Sequence, residues 1–358
     1  MARMKPTGKE NKPKKLLVIR LSAIGDVAMT VPVLWSVVKH NPDVNITFVS
    51  QHFARDIVSQ IPGIQFYEAD TKNRHKGFWG IFKLFRELKN LDRFDAVADL
   101  HGVIRSRIIG LMFRLSSTRY VVIDKGRNEK KQLCNVRNKN LVELKPTTER
   151  YADVFRKLNL DAANDFDYLF DEVRLPDDIS AYLGYKSGTW IGVAPFAKHK
   201  GKIYPLNLME AVVSRLAANK SYKIVLIGGR NFERELLEKW AAKYPNTLSI
   251  AGRYSILNEI KIISNLDVLL SMDSANMHLA SLVNTPVVSI WGATHRYAGF
   301  YGWNQNPENA VEVELYCRPC SVYGNKPCFR KDYACLNRIT PDMIISRINS
   351  VVDRYGRI

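Results

Sequence analysis

At 358 residues the chain is longer than one hydrophobic core usually supports, and with 46% hydrophobic and 25% charged residues it reads as two ordinary folded domains. Its formal charge of +18 calls for an anionic partner: nucleic acid, a membrane surface or a phosphorylated substrate. Residues 1–150 hold 28 Lys and Arg against 14 Asp and Glu while the other 208 hold 25 against 21, so that partner is expected at the N-terminal half.

In chain order, residues 1–14 are basic, with Lys5, Lys9, Lys12 and Lys14, and lack the apolar stretch of a secretion signal. They read as a disordered tail, solvated or resting on a membrane surface. Residues 15–20 form a short β-rich run, and Val27, Val31, Leu34, Val37 and Val38 recur at helical spacing. Residues 21–38 are apolar enough to suggest a membrane span, but Gly25, Asp26 and Pro32 lie inside, so a strand, turn and helix is expected. Strands are expected at 45–50 and 94–100, with a basic amphipathic helix at 78–91 between them. Strands alternating with helices imply a parallel sheet covered on both faces.

An acidic stretch, 161–188, then carries Asp161, Asp165, Asp167, Asp171, Glu172, Asp177 and Asp178. The expected division is an N-terminal domain at 15–175, a linker at 176–188 and a C-terminal domain at 189–358. In the latter, strands are expected at 190–194, 223–229, 267–271 and 285–292, and helices at 207–218, 232–244 and 275–283.

Ligands of open parallel sheets bind beyond the carboxyl ends of the strands, and the candidate chemistry falls there. In Ser22-Ala23-Ile24-Gly25-Asp26, glycine permits a tight turn and the carboxylate could deprotonate an acceptor hydroxyl. The alternative is a helix N-cap. Residues 273–278, Asp-Ser-Ala-Asn-Met-His, join a strand to a helix whose free amides suit a diphosphate. Here too a cap at Asp273 or Ser274, with His278 packed beneath, is the plainer reading. Lys198, Lys200 and Lys202 in a further strand-end loop could neutralise a leaving diphosphate without a metal, or could be a solvated face. The spacing Asp-x-Asp occurs only at Asp165 and Asp167, in the acidic stretch, so no catalytic metal is expected.

Together, 19–26 (Ile-Arg-Leu-Ser-Ala-Ile-Gly-Asp), 202–205 (Lys-Ile-Tyr-Pro), 273–279 (Asp-Ser-Ala-Asn-Met-His-Leu) and 291–294 (Trp-Gly-Ala-Thr) resemble glycosyltransferase family nine, which includes the ADP-heptose:lipopolysaccharide heptosyltransferases. The resemblance spans about residues 15–350. It implies a GT-B fold, two Rossmann-like domains with parallel sheets facing across a cleft. It also implies inverting, metal-independent transfer of a heptose from an ADP-sugar to a lipopolysaccharide-type core acceptor, with no cofactor beyond that donor. Asp26 then matches the catalytic aspartate. Lys202 matches the lysine on the donor diphosphate, and Asp273, Ser274, Ala275, Asn276, Met277 and His278 match the donor turn, with Gly228 and Gly229 on the same side.

Two departures stand out. Ala275 replaces the usual glycine, which narrows the space near the diphosphate or sugar. Tyr204 stands where tryptophan is usual and keeps an aromatic ring. Residues 99–107 resemble the family's acceptor-side turn. His101, Arg105, Arg107, Lys76, Lys125 and Arg127, with Arg74 nearby and Ser22 and Gly25 of the first turn, are expected around a phosphorylated, lipid-linked acceptor. The implied location is cytoplasmic, at the anionic inner face of the membrane. Sugar-nucleotide epimerisation on the same fold is the alternative, disfavoured by the basic N-terminal half. Nucleic-acid binding is disfavoured by the lack of any helix-turn-helix, RNP or zinc-finger pattern.

Cys317, Cys320, Cys328 and Cys335 are spaced closely enough for a structural zinc, or are unligated thiols. Disulfides are disfavoured in a reducing cytoplasm. Cys134 reads as a packed thiol.

Overall fold

A computed structural model describes residues 12–170 and 173–355. Most of the basic tail, together with Asp171 and Glu172 of the acidic stretch, lies outside the described residues. The first elements are β1 (Lys15–Ile19), α1 (Ile24–Ala28), α2 (Val31–His40), β2 (Asn45–Ser50), α3 (Arg55–Val58), β3 (Ile64–Glu68) and α4 (Gly77–Leu91). They continue with β4 (Ala96–Asp99), α5 (Ile104–Leu115), β5 (Arg119–Val122), α6 (Arg127–Leu133) and α7 (Thr147–Arg156). Then come α8 (Asp177–Leu183), β6 (Thr189–Ala194), α9 (Leu206–Ala217), β7 (Tyr222–Leu226), α10 (Phe232–Lys243), β8 (Thr247–Ser249) and α11 (Ile256–Ser264). The last are β9 (Val268–Met272), α12 (Ala275–Ser281), β10 (Val287–Ile290), β11 (Ala310–Val311), α13 (Ala334–Asn337) and α14 (Pro341–Tyr355).

The chain divides into two compact units. One takes the residues up to Ala23, Thr30–Lys125 and Thr148–Phe166; the other takes Ile24–Met29, Gly126–Thr147 and everything from Asp167 on. Residues 176–188, where a linker is expected, contain α8, whose Ile179 and Leu183 are buried.

The first unit is a five-stranded sheet, β3-β2-β1-β4-β5, with every pairing parallel. β1 is buried along Leu16–Ile19 because a central parallel strand is covered on both faces, which is why its sequence is continuously apolar rather than alternating. α4 lays Ile81, Leu84, Phe85 and Leu88 on this sheet, burial that contributes roughly 6–12 kcal/mol gross at about 1.5–3 kcal/mol per side chain. α5 packs beside it, with the Phe85 and Phe113 rings edge to face at 5.0 Å.

The second unit is a six-stranded sheet, β11-β10-β9-β6-β7-β8, again parallel throughout. Its first strand, β6, has β7 on one side and β9 on the other, so the strand order reverses between β6 and β9. A crevice is expected beyond the carboxyl ends at such a point. Tyr204, fully buried, donates its hydroxyl to the Ile339 carbonyl at 2.8 Å, so the ring in place of the usual tryptophan packs in the core and keeps its polar tip satisfied.

Candidate active site

Three strand-end segments of the second unit meet at this reversal. β6 leads into 195–202, β9 into Asp273 and Ser274, and β10 into 291–294. The Lys202 Nζ lies 2.8 Å from Asp273 Oδ2, and the Thr294 hydroxyl donates to the same oxygen at 2.8 Å. Both charged side chains are largely buried, 15% and 4% exposed, so the pair is held in a dry setting where a charge acts strongly. Gly201 makes this approach possible. Its carbonyl accepts from the Ala293 amide at 2.8 Å, and a Cβ there would sit 2.8 Å from the Gly324 carbonyl oxygen and 2.9 Å from Ala293 Cβ.

Ser274 occupies the N-cap position of α12, but no side-chain cap bond forms; its hydroxyl pairs with that of Ser271 at 3.2 Å. Asp273 is committed to Lys202 and Thr294. Capping therefore does not account for either residue. The first amides of α12 have no partner within the helix, as at any helix start. Ala275 and Asn276 are half-buried and Met277 is buried.

His278 is buried beneath this turn, with Nδ1 unpartnered. Burial, aided by Lys202, pushes its pKa down to about 4 against the pull of the Asp273 and Asp26 carboxylates. At neutral pH it is an uncharged ring.

Asp26 lies inside α1, two residues past its start, so it is not an N-cap residue. α1 packs on α12 within this unit. The contact is close at Gly25, where a Cβ would come within 2.9 Å of His278 Cδ2 and 3.3 Å of Ala275 Cα. The helix that carries Asp26 and the 273–278 turn are thus one packed assembly.

Of the other lysines, Lys198 and Lys200 are exposed, and Lys200 Nζ stands 5.2 Å from the Tyr333 ring centre. Only Lys202 reaches Asp273. At the end of β7, the Gly229 amide donates to Glu233 Oε2 at 2.6 Å, and a Cβ on Gly228 would meet Leu237 at 2.8 Å. Arg230, Asn231, Arg234 and Gly252 line a groove of about 470 Å³ beside these glycines.

The residues expected at an acceptor are divided. In the first unit, His101 Nδ1 accepts from the Leu21 amide at 3.3 Å and its Nε2 lies 3.5 Å from the Ser22 hydroxyl. Asp99 fixes this turn by accepting from the His101 and Gly102 amides at 2.9 and 2.8 Å. Lys76 and Arg107 are exposed, Arg105 and Lys125 half-buried. Arg74 is held by Glu87 and the Tyr67 hydroxyl, so it is not available as a free cation. Gly25 and Arg127 belong to the second unit, and Arg127 is exposed at the start of α6.

Among the described residues, no three His, Cys, Asp or Glu side chains converge to hold a metal ion, and all the cysteines are free. Cys335 packs in the main core of the second unit and Cys317 is buried. Cys320 points at the Ala293 carbonyl, and Cys328 accepts from the Tyr333 amide at 3.3 Å. Cys134 is buried, its pKa pushed up to about 11 by burial.

Sequence reasoning overlooked Ser271 and Thr294 as side chains of the site, although both stand at or just past a strand end.

Residues 81–328 match the family model described as glycosyltransferase family 9 (heptosyltransferase). The lipopolysaccharide core heptosyltransferase OpsX of Haemophilus influenzae is 24% identical over 309 residues, covering 84% of this chain and 85% of its own. A family 9 glycosyl transferase of Veillonella parvula shares the fold at a TM-score of 0.74 and 17% identity, over 95% of this chain and 98% of that one. The E. coli heptosyltransferase WaaC, solved with ADP-2-deoxy-2-fluoro heptose, does so at 0.67 and 18%, over 94% and 99%. The fold is GT-B, with the two parallel-sheet units expected of it. With the family match extending over more than half its length, this chain is a glycosyltransferase and belongs to glycosyltransferase family 9, the heptosyltransferases.

Proposed function

We propose that this enzyme transfers a heptose or closely related sugar from an ADP-sugar to a phosphorylated, lipid-linked core acceptor of the lipopolysaccharide type, at the cytoplasmic side of the membrane. OpsX, a lipopolysaccharide core heptosyltransferase, supports the acceptor class, and the ADP-heptose analogue bound to WaaC supports the donor. Among the described residues no helix is long and apolar enough to cross a membrane.

In this mechanism Asp26 accepts the proton of the acceptor hydroxyl as its oxygen bonds to the anomeric carbon. The bond from that carbon to the diphosphate oxygen breaks on the opposite face, which inverts the configuration. Lys202 and the first amides of α12 take up the charge developing on the leaving diphosphate, and Ser274 donates to it, so the departure needs no metal. Neutral His278 fills the space under the turn without adding charge. The observation that carries this reading is the packing of α1 on α12 at Gly25, which supports a carboxylate held at a fixed distance from the donor turn.

Asp26→Asn should lower turnover on the order of a hundredfold or more while donor affinity stays near wild type. Near-normal turnover removes the base assignment. Thermal-shift titration with ADP-, GDP- and UDP-sugars tests the donor, since a ligand bound only by the native state raises its melting temperature. Turnover of the free nucleotide sugar without acceptor would turn the assignment to an epimerase.

A further inference from the structure

α4 buries one face and leaves the other without cover. Phe78, Trp79 and Phe82, in its first two turns, are 67%, 79% and 42% exposed, and the Phe78 and Trp79 rings touch at 5.7 Å. Exposed apolar residues are unremarkable singly, but adjacent aromatics on one helix end mark a contact surface. α4 follows β3 and α5 follows β4, and the two helices pack side by side on one sheet face, so their first turns share the carboxyl edge of the sheet. α5 opens there with Ile104, 80% exposed. His101 and Lys125 stand at the same strand ends.

The rim of this patch is cationic. Lys72 and Lys76 just before the aromatics and Lys83 and Arg86 just after them are exposed. The acids in the same stretch are engaged. Asp70 accepts amide bonds from Lys72, Asn73 and Arg74, and Glu87 holds Arg74 and His75. A protein interface tends to exclude lysine, whereas an anionic bilayer draws it, at about 1 kcal/mol per basic residue near the surface. Aromatic side chains flanked by Lys and Arg are also the pattern that settles at headgroup depth.

We propose that the first turns of α4 and α5 form a docking surface for an anionic lipid bilayer, with Phe78, Trp79, Phe82 and Ile104 entering the headgroup region and the lysines pairing with lipid phosphates. This deepens the lipid-linked acceptor reading above, because it sets the acceptor-side edge of the first unit against the membrane that holds the substrate.

The test is co-sedimentation of the full chain with phosphatidylcholine vesicles, with and without phosphatidylglycerol, in the absence of any sugar nucleotide. The wild type should bind the anionic vesicles and not the neutral ones. Phe78→Ser/Trp79→Ser should weaken that binding roughly tenfold or more, about 1.4 kcal/mol. Lys83→Glu/Arg86→Glu should weaken it at low salt, with the effect fading as salt rises. Wild-type melting temperatures in both variants would establish that folding is intact. Equal binding by the serine variant would overturn the proposal and assign vesicle affinity to other basic residues, including the N-terminal lysines. So would equal binding to neutral vesicles. No vesicle binding, with self-association of the wild type that the serine variant loses, would make the patch a contact between copies. Anionic-vesicle binding without sugar transfer would leave this surface standing and refute the reading of the active site alone.

Discussion

Replacing Lys202 with methionine removes the cation from a pair whose other member, Asp273, is 4% exposed. Thr294 would still donate to that carboxylate, but a hydroxyl does not neutralise it. Breaking a buried pair from one side costs about 3–5 kcal/mol, and with the threonine bond retained we expect the lower end, about 3 kcal/mol. For a domain of this size 1 kcal/mol moves the melting temperature by roughly 2–4 °C, so Lys202→Met should melt about 6–12 °C lower. In the proposed mechanism the same substitution also removes a charge-assisted contact to the donor diphosphate, worth about 1.5–3 kcal/mol, or roughly 10- to 100-fold in affinity for ADP. The double variant Lys202→Met/Asp273→Asn separates the two roles. It removes the stranded charge and should recover most of the melting temperature, while ADP affinity stays low. Differential scanning calorimetry and isothermal titration with ADP measure both. A single variant that melts within about 1 °C of wild type would show that Asp273 does not depend on Lys202. Unchanged ADP affinity would remove Lys202 from the donor site.

Gly25→Ala puts a methyl group into the contact between α1 and α12. Overpacking costs about 1–3 kcal/mol, partly offset by the helix preference of alanine, so stability should fall by about 1 kcal/mol while turnover falls tenfold or more; unchanged turnover would show that α1 need not be held there. His278 is held below its unfolded pKa, so the folded state binds fewer protons, and its stabilising contribution, complete above about pH 6.5, is lost as pH falls toward 4. The loss is about 3 kcal/mol at most, and because burial also pushes His295 down to about 4, His278→Gln should flatten the melting-temperature slope in that window by about half rather than abolish it. An unchanged slope would contradict the burial of His278. With unligated thiols a chelator should leave the melting temperature within about 1 °C of its starting value, whereas a fall of several degrees would assign the cluster a structural ion.

The elements that could be read from sequence are those whose burial repeats locally. β1, β6 and β9 are largely apolar runs, β2 is rich in β-branched and aromatic residues, and α4 spaces Ile81, Leu84, Phe85 and Leu88 at helical intervals. β3, β5, β8 and β11 escaped notice because they are the edge strands of the two sheets, two to five residues long, too short for any periodicity to register. α8 was masked by the acids around it, because its buried Ile179 and Leu183 amount to one helical turn of apolar signal. For the site, strand-end position was enough to nominate Asp26, Lys202 and the 273–278 turn. It could not show that Asp273 would be spent on Lys202 rather than on a cap, nor that Gly25 would meet His278. Those contacts join residues far apart in the chain, and spacing carries no record of them. The cysteine separations are compatible with a zinc site or with unligated thiols, and spacing does not say where the sulfurs point; Cys320 lies at the Ala293 carbonyl and Cys328 accepts from the Tyr333 amide.

The assignment of Ile24–Met29 to the second unit bears on any attempt to dissect the molecule genetically. A fragment begun after residue 175 would lack the helix that covers His278 and Ala275. It would also lack 126–147, whose Leu144 and Thr147 amides bond to the Tyr297 and Gly299 carbonyls. Such a half-protein would expose a raw surface and carry no Asp26, whereas a version that re-attaches these two stretches would restore the proposed base and its donor turn as a single heritable module.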